Sequence, residues 1–216
     1  MTNTLGDLKT RIIAETNRDD LGAGQALETQ LGLCIARAIE FHSDQDFWFN
    51  RGSGTRSTSN GVATVALPTG VRVPATVAYS ASPLLKAAIE DIEYLTGSGL
   101  PTRWAQNGGN IQLWPIPDGA YALNIYGIAQ IDAPTLDATS NVWTAEAQDL
   151  IAARTRFLLF RDVFRDGEGV QLAAQAEGEA LERLRKESRR RGMTPLRSTG
   201  DEPWSAATTF NISTGN

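Results

Sequence analysis

The sequence predicts an α+β fold, on three observations: helical periodicity at both ends of the chain, a strand-and-turn texture between them, and a polar tail carrying isolated aromatics. Its 216 residues are 41% hydrophobic and 7% aromatic, an ordinary composition for a chain that buries a real core.

From Thr4, the segment TLGDLKTRIIAETN sets Leu5, Leu8, Ile12 and Ile13 at helical spacing, and Thr4 and Asp7 fall at the N-cap and N3 positions of a capping box. After the DDLGAG turn, Leu27, Leu31, Cys34, Ile35, Ala38 and Ile39 define the apolar face of a second helix, from about Gln25 to Ser43. From Phe47 the runs FWFN, GVATVAL, VRVPATVAYS, NIQLWPIP and YALNIYGIAQI read as short strands, with Trp48 and Phe49 on opposite faces of the first. Asn60-Gly61, Gly108-Gly109 and Asp118-Gly119 mark hairpin turns, and Asn110 to Pro115 with Ala120 to Ile131 reads as a hairpin across PIPDG. The stretch Ala87 to Leu95 fits either a short helix or irregular structure.

Helical period returns at Thr144, read as an N-cap, with Glu146 and Asp149 near the positive end of the helix dipole. Leu150, Ile151, Phe157, Leu158, Phe160 and Phe164 cover a broad apolar face. A turn at Asp166 to Glu168 leads to a last helix, about Gly169 to Arg191, whose stripe of Val170, Ala173, Ala174, Gly178, Leu181 and Leu184 permits close helix approach. The chain therefore divides into N-terminal helices (1–45), a β-rich region (46–143), C-terminal helices (144–191) and a tail (192–216).

The tail is rich in Ser, Thr, Gly and Asn and cannot offset an ordering entropy of roughly 1 to 2 kcal/mol per residue by itself. It nonetheless carries Met193, Leu196, Trp204, Phe210 and Ile212. That pattern reads either as an arm that folds onto a partner through spaced anchors or as a disordered terminus with incidental aromatics. The last helix ends in Arg183, Arg185, Lys186, Arg189, Arg190 and Arg191. These are either favourable cations at the negative helix end or a surface for an acidic partner.

Chemistry is sparse. The 25 acidic against 20 basic residues give the whole chain no electrostatic footprint for duplex DNA. A single cysteine, Cys34, excludes an intrachain disulfide and reads as a small buried hydrophobe of a reducing compartment. His42, the one histidine, continues the apolar face of the second helix and reads as a packed or capping imidazole rather than a catalytic base. The adjacent carboxylates Asp19/Asp20 and Glu90/Asp91 are weak candidates for a glycosidase pair, because neighbouring side chains point apart. GGNIQLWP and DGEG lack the lysine of a phosphate loop. No catalytic residue, metal site or cofactor is expected. No apolar run reaches the ~20 residues of a membrane span, and the start of the chain lacks the apolar core of a signal peptide, so a soluble, unexported product is expected.

The opening TLGDLKTRIIAETNRDDL, the helix ending IEFHSDQDFWFN, the later ALP, the stretch IQLWPIPDGAYALNIYG and the closing pair of helices occur in the order seen in a known family. From Thr4 to Arg191 the chain resembles the head-to-tail adaptor family of short-tailed bacteriophages, the tail accessory factor or tail tubular protein A type. The resemblance implies a helical bundle with an inserted antiparallel β domain and an extended C-terminal arm. It further implies a ring, usually of twelve subunits, in the virion neck, assembled in the bacterial host cytoplasm. Implied partners are the portal protein above, reached by the arm, and a nozzle or tail tube component below. Double-stranded DNA would pass through the channel during ejection without specific binding, past a wall for which the acidic balance is suited. Two other readings make different demands: a peptidoglycan or glycan hydrolase of the tail using carboxylates such as Glu90 and Asp91, and a DNA-binding packaging accessory using the Arg183 to Arg191 cluster.

Overall fold

The computed structural model describes residues 3–191, which form an α+β protein of two compact units. One unit comprises the described residues to Arg51 together with those from Ile128 onward, and the other is Gly52–Gly127. Met193, Leu196, Trp204, Phe210 and Ile212 lie outside the described residues.

The first unit is helical. Helix α1 (Leu5–Thr16) starts at the expected capping box: the Thr4 side chain accepts from the Asp7 amide, and the Asp7 carboxylate accepts from the Thr4 amide. The capping contact holds the Asp7 carboxyl below its ordinary value. Leu5, Leu8 and Ile12 are buried. A single 3-10 turn (Asp19–Leu21) inserts Leu21 into the core and leads to α2 (Glu28–His42), which buries Leu31, Cys34, Ile35, Ala38, Ile39 and His42. Burial pushes the Cys34 thiol up in pKa, as suits a structural cysteine.

The segment FWFN is a turn rather than a strand. The buried Asn50 side chain accepts from the Phe47 amide and donates to the Gln45 carbonyl, so the backbone is closed into a loop before it can extend. Trp48 and Phe49 consequently do not sit on opposite faces of a strand. Phe49 lies edge-on to Trp143, with ring centroids 5.2 Å apart, and stacks on Phe47 at 5.2 Å.

The returning chain forms α4 (Val142–Glu146) and α5 (Gln148–Leu158), broken at Ala147. Thr144 is not the N-cap. Asn141 is, accepting from the amides of Trp143 and Thr144, while the Thr144 hydroxyl accepts from the Asn141 amide. A capping box therefore starts three residues before the apolar period becomes visible. Glu146 closes α4, and only Asp149 occupies the first turn of α5. In α5, Leu150, Ile151, Ala152, Ala153, Thr155 and Leu158 are all buried, and it contacts α1, α2, α4 and α6 (Gly167–Arg190). A π-helical turn (Leu159–Phe164) ends with Arg165 in the left-handed region at φ 55°. The DGEG fragment is the start of α6: Asp166 accepts from the amides of Glu168 and Gly169, and a Cβ on Gly169 would lie 2.7 Å from the Phe160 ring.

The small-residue stripe of α6 is rotated from its expected position. Gly169, Ala173, Ala180, Leu184 and Ser188 are buried, whereas Ala174 and Gly178 face solvent.

The second unit holds two four-stranded sheets. One has the order β1 (Arg51–Ser57), β8 (Ala122–Ile128), β3 (Val73–Tyr79), β4 (Ser82–Pro83); the other has the order β2 (Thr64–Ala66), β7 (Asn110–Trp114), β6 (Arg103–Asn107), β5 (Leu85–Lys86). Val77, Leu123 and Ile125 of the first meet Val65, Trp104, Ile111 and Leu113 of the second in one buried cluster, which gives each strand an inward apolar set. The Gly108-Gly109 turn joins β6 to β7 as a tight hairpin, with Asn107 paired to Asn110 and Gly108 at φ 58°. The other two turn pairs are not hairpins. Strands β1 and β2 lie in different sheets, as do β7 and β8, so the Asn60-Gly61 and PIPDG segments carry the chain from one sheet to the other. Pairing is antiparallel for β2 with β7, β3 with β4 and β6 with β7, and parallel for β5 with β6. Ala87 to Leu95 contains the one-turn helix α3 (Ile89–Ile92).

Gly127 fits where no other residue does, because a Cβ there would come within 2.0 Å of the Val73 carbonyl oxygen. Gly178, by contrast, has open space around its would-be Cβ. Urea denaturation should show Gly127→Ala destabilised by about 1–3 kcal/mol or more, since backbone has to move. The same measurement should show Gly178→Ala stabilised by ~0.5–1 kcal/mol through helix propensity. Equal stabilities for the two variants would contradict this packing.

Candidate functional site

The six cations at the end of the last helix have unequal surroundings. Arg183 Nη1 lies 2.7 Å from Asp149 Oδ2, and the other oxygen of that carboxylate lies 2.6 Å from Arg11 Nη1. Arg11 in turn meets Glu15 at 2.6 Å, and Glu15 meets Arg156 at 3.2 Å. A ladder of alternating charge thus ties α6 and α1 to α5. Burial opposes the charge on Arg11, but its bonds to Glu15 and Asp149 outweigh this and raise its pKa. An open cleft of about 240 Å³ adjoins the ladder, lined by Asn3, Gln148, Asp149, Leu150, Ala180 and Arg183.

Arg185 donates to the Gln45 side chain at 3.2 Å, and its Nη1 lies 3.8 Å from Glu182. Arg190 and Arg191 share Glu187 at 3.6 and 3.0 Å. The Arg191 guanidinium also stands 4.3 Å from the centroid of Trp48. Lys186 and Arg189 are exposed and form no ion pair among the described residues. The cluster is therefore mixed: Arg183, Arg185 and Arg191 reach other parts of the bundle, Arg190 meets only Glu187 of its own helix, and Lys186 and Arg189 form no ion pair among the described residues. Spacing along the sequence could not separate them, since their partners Asp149, Gln45 and Trp48 are remote in the chain.

His42 is 2% exposed. Its Nε2 lies 3.2 Å from Glu177 Oε1. Glu177 Oε2 meets Arg154 Nη1 at 3.4 Å, and the Arg154 guanidinium lies 3.6 Å from the Phe41 centroid and 4.8 Å from that of Phe157. Glu177 and Arg154 escape a reading of the sequence. The available signal was indirect: a histidine on an apolar helix face needs a polar partner somewhere in the fold. Burial raises the Glu177 carboxyl, and the contacts with His42 and Arg154 overcome that and hold it below its ordinary value.

Glu90 and Asp91 are exposed side by side on α3. Successive helical residues point about 100° apart, a poor arrangement for flanking one glycosidic bond. Asp19 and Asp20 begin the 3-10 turn, where Arg18 holds Asp20 at 2.8 Å and lowers its pKa. Among the described residues, no group of three or more His, Cys, Asp or Glu is placed to hold a metal ion, and no helix is long and apolar enough to cross a membrane.

Since the folded Glu177 carboxyl titrates below its ordinary 4.5, its contacts contribute stability that is fully present above that pH. The contribution disappears as pH falls through the lowered folded value. Glu177→Gln should therefore be less stable at about pH 7, and its stability should fall less steeply on acidification below the ordinary value. Parallel acid-unfolding curves for the two proteins would refute this role.

Comparison with known proteins gives one family: the model described as SU10 adaptor protein matches residues 3–199. A search of curated proteins returns no match.

Proposed function

Because the chain belongs to the SU10 adaptor protein family and is thus a phage structural adaptor, we propose that it is the head-to-tail adaptor that sits as a ring between the portal and the lower tail. The observation that carries this reading is the length of the family match, which runs through both units and into the tail. In finer detail, the adaptor is of the tail accessory factor or tail tubular protein A type. Twelve copies complete the DNA ejection channel, assembling in the host cytoplasm and remaining in the virion neck. A nozzle or tail tube component binds below. The net charge of −5 favours passage of DNA without adhesion to the wall.

Attachment falls to the arm beyond Arg191. Met193, Leu196, Trp204, Phe210 and Ile212 are spaced apolar anchors in an otherwise polar segment, the composition of a peptide that fills pockets on a partner. The free cations Lys186 and Arg189 stand close before it in sequence, on a helix that the Arg183–Asp149 and Arg191–Trp48 contacts hold to the bundle. The arm therefore departs from a fixed base, which lowers the ordering cost of docking.

Truncation after Arg191 should abolish binding to the purified portal ring while leaving the circular dichroism and thermal unfolding of the body unchanged. Trp204→Ala and Phe210→Ala should each weaken binding by ~1–3 kcal/mol, read from titration calorimetry. Wild-type affinity in the double variant would remove the arm from the account.

A further inference from the structure

In the β-rich unit, four large apolar side chains are left in solvent along one short stretch: Leu85 at 53% exposure, Tyr94 at 83%, Leu95 at 39% and Leu100 at 43%. Leu85 is on β5, the edge strand of its sheet, and its amide donates to the Thr102 carbonyl, so the segment from 85 to 102 folds back on itself. Gly97 and Gly99 adopt φ values of 138° and 155°, conformations that L side chains rarely reach, and flank Ser98, which pairs with Ile116 in a parallel bridge ahead of Leu100. A single exposed leucine needs no explanation, but an apolar stretch of this kind in which three carboxylates outnumber the one cation, Lys86, does. Glu90, Asp91 and Glu93 are exposed within it and form no ion pair among the described residues.

The complementary chemistry is on the same chain. At the end of α6, Lys186 and Arg189 are exposed with no ion pair among the described residues, and the Arg190 side chain is 83% exposed against a 3.6 Å contact with Glu187. Their long aliphatic stems can cover apolar surface while their heads meet carboxylates. Apart from the Arg190 contact with Glu187, neither the three carboxylates nor these three cations form an ion pair among the described residues, and each set supplies the charge the other lacks.

We propose that the Leu85 to Leu100 surface of one copy receives the basic end of α6 from a second copy. Because the two surfaces differ, the contact is heterologous, the type that propagates around a ring. The carboxylates select and orient the incoming helix end, and Tyr94, Leu95 and Leu100 are covered by the stems of Lys186, Arg189 and Arg190. This assignment rests on the ring reading above and adds to it the two surfaces that meet.

The test uses two charge-reversed forms of the full chain, one carrying Glu90→Lys, Asp91→Lys and Glu93→Lys, the other Lys186→Glu, Arg189→Glu and Arg190→Glu. Each is examined alone and in equimolar mixture, with and without purified portal ring, by light scattering after gel filtration. Each form alone should assemble at least tenfold more weakly than wild type. The mixture should recover assembly, because alternating copies restore an opposite-charge pair at every contact. A second measurement pairs Tyr94→Cys with Arg189→Cys in one chain, which on oxidation should yield a ladder of linked multimers that neither single variant gives. Wild-type assembly of both reversed forms alone, a mixture no better than its components, or absence of the ladder would overturn the contact. Normal ring assembly of the Glu90, Asp91 and Glu93 variant combined with loss of the next tail component would overturn it too, assigning the patch to that component. A wild-type chain that never assembles, with or without portal, would instead contradict the ring reading itself.

Discussion

The helical unit depends on the burial of α5 on nearly all sides. A helix contacted by α1, α2, α4 and α6 must bury most of its length, and the consecutive buried run Leu150, Ile151, Ala152, Ala153 meets that demand, with the two alanines letting neighbours approach closely. Two of those neighbours, α1 and α2, come from the start of the chain, and the others from beyond the β-rich segment. Closing the bundle therefore requires both ends of the chain to meet, and the charges around α5 fix how they meet. Asp149 accepts from Arg11 on one side and Arg183 on the other, so one carboxylate joins helices from opposite ends of the sequence.

The same logic explains the interior polar group. His42 on α2 and Arg154 on α5 converge on Glu177 of α6, and Arg154 is covered by two aromatic rings. Exposed ion pairs contribute little, ~0–1 kcal/mol, whereas a charge buried without its partner is costly, so Glu177 and Arg154 depend on one another. At the other end of α6, Arg191 on Trp48 and the Phe47, Phe49 and Trp143 cluster close the bundle beside the turn that leads into β1.

Much of the helical architecture was legible because it is governed by local rules. Thr4 with Asp7 gave the first helix start, and the apolar period from Leu31 to Ile39 gave the inner face of the second. Features set by distant contacts were hidden. Asn50 converts an apparent strand into a turn through bonds to Phe47 and Gln45, and Ala174 and Gly178 turn outward because Ala173, Ala180 and Leu184 meet the core instead. Period-2 patterning identified strands β3, β7 and β8 but not their sheet, since alternation reports which face is buried and not which neighbour is paired. Of the candidate site, the sequence offered six cations in a row. It could not separate Arg183, Arg185 and Arg191, which reach the bundle, from Lys186 and Arg189, which form no ion pair among the described residues, because the separating partners lie elsewhere in the chain.

If this phage adaptor joins the portal as a ring, as proposed, the mass of the complex will report it. Light scattering after gel filtration, applied to the chain mixed in excess with its purified portal ring, should give the mass of the portal plus a fixed integer multiple of 23.3 kDa, independent of further excess. A portal that elutes at its own mass, or one whose added mass keeps rising with excess protein, would contradict it.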